Sequence, residues 1–438
     1  MDFDFSRKIP IGVQSFEVMR NDKFLYVDKT PFLFKLAHSN RVYFLSRPRR
    51  FGKSLFISTL QAYFEGKKEL FKGLFLEHGE PELAAAQGRA AWQKHPVLYL
   101  DLNTEEYNKP EELEKLLTLH LSRWEELYGS NVNEDTPSAR FSGIIRRAYE
   151  QTGQQVVLLV DEYDKPLLQA MDKPELYETF RSQLYAIYSN IKSSDRYIRF
   201  VFLTGVSRFG KLTIFSGLNN LNDISMDAAY AGICGITEEE LVAYFAPEIK
   251  ALAEALQLTH EATIAALKKR YDGYLFSEDG EHVYNPFSLL NVLQKKKLKD
   301  YWYATGTPTF LVKYLQTLNY FLPDLEHDVE MGMSGLQVSP IEAKSPIPIL
   351  FQAGYLTIRE YRPDEGIYRL GFPNEEVRFG FLKNLLQNYA PEIEDASSET
   401  AEFLREIRAG QVDDFMKRLE GLIAGIPYDT FAPTTVKY

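Results

Sequence analysis

The sequence predicts an α/β fold in which a parallel sheet carries helices on both faces, followed by a helical subdomain and a winged-helix-like module. Three observations support this fold class. Short apolar runs alternate with longer amphipathic stretches through the first half of the chain. The runs are continuously apolar, as strands buried in a parallel sheet are. After residue 235 helical patterns dominate, and a helix followed by a hairpin pattern occupies 346–372.

Four apolar runs are predicted strands, and two of the stretches between them, 111–128 and 176–192, are predicted helices. This alternation favours a doubly wound sheet. Ligands of such sheets lie at the carboxyl ends of the strands. Ser46, Asp161 and Ser207 fall at those ends. The predicted strands are 41–45, 97–102, 156–160 and 199–205.

The chain is long enough for several domains, because its 438 residues exceed what one hydrophobic core usually organises. A helix over 237–258 with an acidic, Thr-capped start opens the part that follows the sheet. We therefore expect a core domain at 1–235, a helical subdomain at 236–340, a winged-helix-like module at 341–390 and C-terminal helices at 391–438.

Composition narrows the class of protein. The net charge of −11 does not favour binding to DNA, which would require a local basic patch. The single cysteine, Cys234, excludes an intrachain disulfide and a cysteine-rich zinc site, and it favours a reducing compartment. No apolar run approaches the roughly 20 residues of a membrane-spanning helix. The sequence predicts a cytoplasmic protein with no membrane partner.

The segment "SRPRRFGKSL" at 46–55 joins a predicted strand to a predicted helix. It contains Gly52-Lys53-Ser54, the ending of a phosphate-binding loop. In such loops the backbone N–H groups at the helix start and the lysine hold phosphates, while the next hydroxyl binds Mg²⁺. Lys53 and Ser54 fit these roles.

The front of this loop departs from the usual pattern, because Arg47 stands where a glycine is expected, five residues before Gly52. Arginine followed by Pro48 cannot freely adopt positive φ. We therefore expect a loop that wraps phosphate less tightly at its front. Arg49 or Arg50 then supplies positive charge, or else faces solvent or acidic partners.

A second element strengthens the prediction of a nucleotide site. The run "VVLLV" leads directly into Asp161 and Glu162. A carboxylate at the tip of a buried strand suits a magnesium ligand, and the adjacent glutamate can orient or deprotonate an attacking water. Together the two elements predict a nucleoside triphosphate held by Lys53, with Mg²⁺ on Ser54 and Asp161.

The next strand, "RFVFLTG", ends in further polar residues. In ATPases of this kind the strand beside the acidic one carries a polar group that senses the γ phosphate. Ser207 or Arg208 suits that role, and a simple strand cap is the alternative for each.

Several stretches resemble those of the bacterial AAA-ATPase-like family, over nearly the whole chain. The resemblance implies a P-loop ATPase related to archaeal and STAND-type ATPases, with nucleotide contacts from Gly52, Lys53, Ser54, Asp161 and Glu162. An arginine in place of the first glycine is similar to the family's own pattern. The stretches are "YVDKTPFL", "SRPRRFGKSL", "LVDEYDKPL", "FLTGVSRFGKLTIFSGLNNLNDIS", "YDGYLF", "VYNPFSLL", "YWYATGTPTFL" and "FQAGYLTI".

The same resemblance bears on partners. Relatives commonly continue into a C-terminal nuclease-like domain of the PD-(D/E)XK type, and this chain ends about where they do so. The resemblance therefore implies an effector domain or a protein partner. Within the chain itself, "IEAKSP" has the Glu-x-Lys spacing of a nuclease at Glu342, but no strand-borne aspartate precedes it. We interpret that spacing as coincidence.

Three weaker patterns have structural alternatives. Asp28, Lys29 and Thr30 either contact adenine or cap a helix, and the Thr-Pro start favours the cap. Asn219, Asn220 and Asp223 either shape a loop beside the γ phosphate or satisfy backbone in a turn. The basic run "KKKLK" at 295–299 is a solvated helix face more often than a phosphate contact.

These observations favour a magnesium-dependent ATP-binding switch that hydrolyses ATP and acts on an effector. A nucleotide-binding or interaction module without turnover is the second reading. The third is a DNA-associated regulator acting through the winged-helix region, against which the acidic net charge argues.

Overall fold

The computed structural model describes residues 7–103, 106–208, 220–302, 328–339 and 343–389, with isolated residues at 311–318 and 405–416. Asn219, Glu342 and nearly all of 391–438 lie outside these residues. In the described part of the chain, no helix combines the length and apolar character that crossing a bilayer requires.

A five-stranded parallel sheet forms the centre of the N-terminal half, with the strand order β2-β3-β4-β1-β5. The four predicted strands are confirmed, each within one residue at either end. Strands β1 and β3 are buried along their whole length, which explains their continuously apolar sequences. The strands are β1 (Val42–Ser46), β2 (Val97–Asp101), β3 (Val156–Asp161), β4 (Ile198–Gly205) and β5 (Asn222–Asp223).

Helices flank both faces of this sheet, as the sequence predicts. The third helix packs on β4 through aromatic rings, with Phe56 5.7 Å from Phe202 and Phe64 5.0 Å from Phe200. The helices are α1 (Phe16–Asn21), α2 (Thr30–His38), α3 (Lys53–Phe64), α4 (Leu76–Ala86), α5 (Pro110–Tyr128), α6 (Pro137–Thr152), α7 (Lys165–Gln169) and α8 (Pro174–Ser193).

A helical region with its own buried cluster follows the sheet. It contains α9 (Glu238–Leu256), α10 (His260–Tyr271) and α11 (Pro286–Lys295). The predicted cap is present, because the Thr237 side chain accepts from the backbone N–H of Glu240. Phe245, which is fully buried, belongs to this second cluster.

A three-stranded antiparallel sheet with the order β6-β8-β7 lies in the C-terminal region. The predicted helix and hairpin are present as Ile347–Gln352, β7 (Thr357–Arg362) and β8 (Ile367–Gly371). The sequence missed β6 (Val329–Gly332), which pairs with β8. A last helix spans Glu375–Tyr389.

This C-terminal sheet and its helix share one buried cluster with the parallel sheet, whereas α9–α11 form the second cluster. The antiparallel strands therefore pack on the N-terminal core. The predicted domain limits and the winged-helix interpretation stay predictions.

Candidate functional site

The connection from β1 to α3 ends in a glycine that its backbone conformation requires. Gly52 has a φ of 97° in the left-handed region, directly before the first residue of α3. Side chains other than glycine rarely adopt this conformation. Arg50, two residues earlier, also has a positive φ of 68°. The turn leaves the first N–H groups of α3 at the carboxyl end of the sheet, an arrangement that suits an anion.

Lys53 begins α3, and its side chain is only 4% exposed. The Nζ atom donates to the backbone carbonyls of Arg47 at 3.1 Å and Pro48 at 3.3 Å. It also lies 3.4 Å from Oε1 of Glu162. The ammonium is therefore held against its own loop and against the acidic turn that follows β3.

The carboxylate of Asp161 lies at the end of β3, 2% exposed. Its Oδ1 accepts from Oγ1 of Thr204 at 2.7 Å and from the N–H of Glu162 at 3.0 Å. Burial raises the pKa of Asp161, while hydrogen bonding to Ser54 and Thr204 opposes that rise. Glu162 follows at a positive φ of 51°, which turns the chain away from the strand. The structure thus brings Lys53, Ser54, Asp161 and Glu162 together.

Lys53, Ser54 and Glu162 line a cleft of about 600 Å³, and Asp161 is buried behind it. Arg49 and Arg50 line it at the loop, and Lys165 lines it beside Glu162. A smaller, mainly apolar cavity of about 90 Å³ shares Gly52 with the cleft and extends between the residues that precede α2 and the start of α9. The larger space has charged side chains among apolar ones and the smaller has mainly apolar walls, which suits a ligand with both kinds of group.

The donor set suits Mg²⁺ held jointly with phosphate oxygens. The described residues contain no group of three or more His, Cys, Asp or Glu side chains that could hold a metal ion by themselves. Magnesium typically takes one or two carboxylates plus substrate phosphates and water. The hydroxyl of Ser54 and the carboxylate of Asp161 are hard oxygen donors of that type.

A family model described as "Predicted AAA-ATPase" matches residues 10–215. A protein of Azotobacter chroococcum mcd 1, described as "Uncharacterized protein in vnfD 5'region", is 38% identical over 431 residues, which are 97% of this chain and 79% of that protein. The chain belongs to the AAA-ATPase-like family.

Two solved structures from Aeropyrum pernix are also similar to this AAA-ATPase-like chain. The ORC1 protein in complex with DNA matches with a TM-score of 0.26 and 14% identity, over 82% of this chain and 91% of that one. The ORC2 protein in ADPNP–ADP complexes matches with a TM-score of 0.28 and 12% identity, over 85% and 92%. Superpositions this loose define no correspondence between residues.

Ser207 of this AAA-ATPase-like chain is engaged with a buried carboxylate. Its N–H and its Oγ donate to Oδ2 of Asp164, at 2.6 and 2.5 Å. Asp164 is fully buried, and burial raises its pKa to about 6. Val206, the residue before Ser207, lines the cleft, and its N–H also donates to Asp164. A contact between Ser207 and a γ phosphate stays a prediction.

Arg208 lies on the other side of β4 from the acidic turn. Its Nη2 is 3.1 Å from Oδ2 of Asp223, at the end of β5. Its backbone N–H donates to Oε1 of Gln352, in the C-terminal region, at 2.8 Å. It lines a separate cavity of about 20 Å³ together with Arg47 and Gln352. Direct contact between Arg208 and a nucleotide also stays a prediction.

Arg47 stands where a phosphate-binding loop has glycine. The structure gives a reason for this that the sequence did not reveal. The guanidinium is 1% exposed and donates to the carbonyls of Ser225 at 2.7 Å and Tyr230 at 3.2 Å. It also lies 4.2 Å from the ring centroid of Phe276. Burial lowers its pKa to about 10. Arg47 anchors the front of the loop to the segment after β5.

The C-terminal region contacts the same loop. A Cβ at Gly354, whose φ is +85°, would lie 2.6 Å from Cβ of Pro48, so only glycine permits this approach. Nε1 of Trp302 donates to the carbonyl of Arg49 at 3.2 Å. Phe51 packs edge-on to Tyr274, with ring centroids 4.8 Å apart. The loop between β1 and α3 is therefore held by residues more than two hundred positions away.

The residues before α2 act in capping and packing. Oδ1 of Asp28 accepts from the N–H of Thr30 at 2.8 Å, in the manner of a cap. Lys29 pairs with Glu240 at 2.6 Å, while its side chain also lines the apolar cavity. The cap interpretation of this segment accounts for Asp28, and Lys29 borders the apolar cavity.

The two other weak patterns also have local structural explanations. Asp223 accepts from the N–H of Ser225 and pairs with Arg208, so its carboxylate serves a turn and an ion pair. In the basic run, Lys295 lies 4.9 Å from the ring centroid of Tyr301, and the side chains of Lys296 and Lys297 are exposed. The run is on the surface as expected, but it is not a helix face, because α11 ends at Lys295.

Proposed function

We propose that this AAA-ATPase-like chain binds ATP with Mg²⁺ in the 600 Å³ cleft and hydrolyses it. The observation that carries the proposal is the 3.4 Å separation of Lys53 Nζ and Glu162 Oε1 at the start of a helix. Phosphate-binding and water-activating groups have to meet at such a point. They come from segments about a hundred residues apart in the chain.

In this proposal the β and γ phosphates lie over the N–H groups of Gly52, Lys53 and Ser54. The Lys53 ammonium leaves the carbonyls of Arg47 and Pro48 to contact phosphate oxygens. A charged acceptor makes a stronger hydrogen bond than a carbonyl does, which favours the exchange.

Ser54 and Asp161 would hold Mg²⁺, which when bound neutralises charge on the β and γ oxygens. The bond from Thr204 fixes the rotation of the Asp161 carboxylate. Glu162, 19% exposed at its side chain, orients the attacking water and accepts its proton. Arg49 and Arg50 add positive charge at the mouth of the cleft.

The smaller cavity would take the base of the nucleotide. Tyr26, Val27 and Ile236 give it apolar walls, and Lys29 borders it. A flat aromatic ring placed there would be continuous with phosphates over Gly52, because that residue lines both spaces.

We further propose that the nucleotide state is coupled to a partner or effector. The support is the contact of the phosphate loop with the C-terminal region, through Pro48 with Gly354 and Arg49 with Trp302. A loop that shifts when phosphate binds would shift these contacts as well.

A binding module without turnover is the second candidate. It is favoured by the three bonds and contacts that hold Lys53 away from a phosphate, two to carbonyls and one to Glu162. A role in DNA binding is less well supported. Arginines of the antiparallel sheet pair with carboxylates, Arg362 with Glu330 at 2.9 Å and Arg369 with Asp328 at 3.1 Å.

Glu162→Gln tests the proposal, because it removes the proton acceptor and keeps the shape of the side chain. We expect phosphate release from ATP with Mg²⁺ to fall by roughly 10²-fold to 10⁴-fold while ATP affinity survives. The matched control is Glu175→Gln, at an exposed position outside the cleft lining. Equal turnover in Glu162→Gln and wild type would remove Glu162 from the mechanism. ATP binding without phosphate release by the wild type would favour the second candidate.

A further inference from the structure

The wall of the cleft opposite the loop between β1 and α3 carries a lysine to which no sequence motif assigns a role. Lys165 is the first residue of α7 and lines the cleft together with Asn103 and Gln169. Its backbone N–H donates to the carbonyl of Glu162 at 3.0 Å, which closes the turn that follows β3. The residue proposed to activate water and Lys165 therefore belong to one rigid turn.

Within the part of the chain that the structure describes, the Lys165 ammonium is held by one hydrogen bond and lies 5.9 Å from the ring centroid of Tyr107. Its Nζ donates to the backbone carbonyl of Asn103 at 2.6 Å, and its side chain is partly buried. It makes no ion pair with a carboxylate of the described residues. Burial lowers the pKa of Lys165, the nearby Glu162 carboxylate opposes that fall, and Arg49 adds to it. A cation in these surroundings gains from a neighbouring anion.

The two residues that the sequence singled out as γ-phosphate sensors have other partners. The hydroxyl of Ser207 is bound to Asp164, and the guanidinium of Arg208 is paired with Asp223. Neither residue lines the cleft, whereas Lys165 does. Lysine has a long flexible stem with three donors on the ammonium, so it reaches a new acceptor without backbone movement.

We propose that Lys165 recognises the terminal phosphate of the bound nucleotide and so distinguishes a triphosphate from a diphosphate. This inference rests on the proposed ATP site. Lys53 and Lys165 flank Glu162, from the loop side and from the α7 side. In the triphosphate complex the Lys165 ammonium leaves the Asn103 carbonyl for a γ-phosphate oxygen. In the diphosphate complex it stays on that carbonyl.

A purely structural role would give a different result. If the Lys165–Asn103 bond only ties α7 to the end of β2, its loss would weaken all ligands equally or destabilise the fold. The discriminating quantity is therefore the ratio of two affinities in one variant, for a non-hydrolysable ATP analogue and for ADP.

The experiment is calorimetric titration of the full chain with the analogue and with ADP, each with Mg²⁺. We expect Lys165→Met to weaken the analogue by roughly tenfold to a hundredfold, as loss of a hydrogen bond between charged groups does, and to leave ADP affinity unchanged. Lys165→Arg should restore part of the preference. The matched control is Lys173→Met, an exposed lysine outside the cleft lining, which should leave both affinities as in wild type.

The possible results distinguish the role of Lys165 from the proposed ATP site on which it rests. An unchanged ratio in Lys165→Met, or an equal loss for both ligands, would overturn the role of Lys165 and leave the ATP site standing. Lys53→Met should weaken both ligands, because that ammonium is placed to contact the β phosphate as well. Absence of binding by the wild type to either ligand would overturn the proposed function and the inference that rests on it.

Discussion

Two halves of one short loop behave differently in this structure. The front half, from Ser46 to Pro48, turns inward, and the Arg47 guanidinium is buried among the carbonyls of Ser225 and Tyr230. The back half, from Arg49 to Ser54, opens to the cleft. Three arginines within four positions thus divide into one structural anchor and two cleft residues.

The difference explains how this loop accommodates an arginine at the position where a phosphate-binding loop has its first glycine. A glycine there would let backbone approach a phosphate closely. Here the buried Arg47 side chain fixes the backbone instead. The guanidinium is held by the segment after β5, and the loop is also contacted by the C-terminal region. Rigidity at the front is supplied by packing, and the proposed anion contacts fall in the back half.

The largest effect should come from replacing the anchor. Arg47→Met leaves the buried carbonyls of Ser225 and Tyr230 without a donor, and we expect it to lower the free energy of unfolding by about 3 kcal/mol. Arg49→Met is the matched substitution in the cleft half. It keeps the backbone carbonyl that Trp302 binds, so stability should stay within about 0.5 kcal/mol of wild type.

Urea unfolding followed by circular dichroism measures both variants. ATP affinity supplies the second half of the comparison, because loss of an exposed cation should weaken ATP in Arg49→Met by roughly twofold to fivefold. Equal stability of the two variants would contradict the division of the loop. So would an Arg47 variant that loses ATP affinity while keeping full stability.

A smaller effect on stability is expected from Glu376, a buried residue that holds Trp302 against the loop. Glu376 is 1% exposed and accepts from the N–H of Trp302 at 2.8 Å and from Oγ of Ser288 at 2.6 Å. Trp302 in turn holds the Arg49 carbonyl. Burial raises the pKa of Glu376 from 4.5 to about 7. The Glu376 carboxyl group therefore binds its proton more tightly in the folded protein than in the unfolded chain.

The sign of the pH dependence follows from that rise. Between the unfolded and folded pKa values the folded state holds more protons, so the stability contributed by Glu376 falls as the pH rises from about 4.5 to about 7. The slope is at most about 1.4 kcal/mol per pH unit. Glu376→Gln should lack this component, so wild type should lose stability relative to the variant between pH 5 and pH 7.5. A difference between the two that does not change with pH would refute this.

Local patterns predicted much of the fold and the core of the site. Buried parallel strands have continuously apolar sequences, and the ends of β1 and β3 placed Lys53 and Asp161 at one edge of the sheet. The strand β6 was missed because "VEMG" is short and has little apolar character, and its pairing with β8 is a long-range contact.

The roles of individual side chains were harder to predict, since they depend on distant partners. Arg47 binds the carbonyl of Ser225, 178 positions away, and nothing in "SRPRRFGKSL" indicates that acceptor. Ser207 follows a buried strand like a sensor residue, yet Asp164 takes its hydroxyl because the ends of β3 and β4 are adjacent. Lys165 follows the acidic motif closely in the sequence, but no sequence pattern indicates a role for it. Only the folded chain shows the cleft that it lines.

In the proposed complex a triphosphate lies between the start of α3 and the acidic turn after β3. A crystal structure of the full chain with a non-hydrolysable ATP analogue and Mg²⁺ tests it most directly. We predict phosphates over the N–H groups of residues 52–54, with the Lys53 ammonium moved from the carbonyls of Arg47 and Pro48 onto phosphate oxygens. A nucleotide bound elsewhere, with Lys53 still on those carbonyls and against Glu162, would contradict the account.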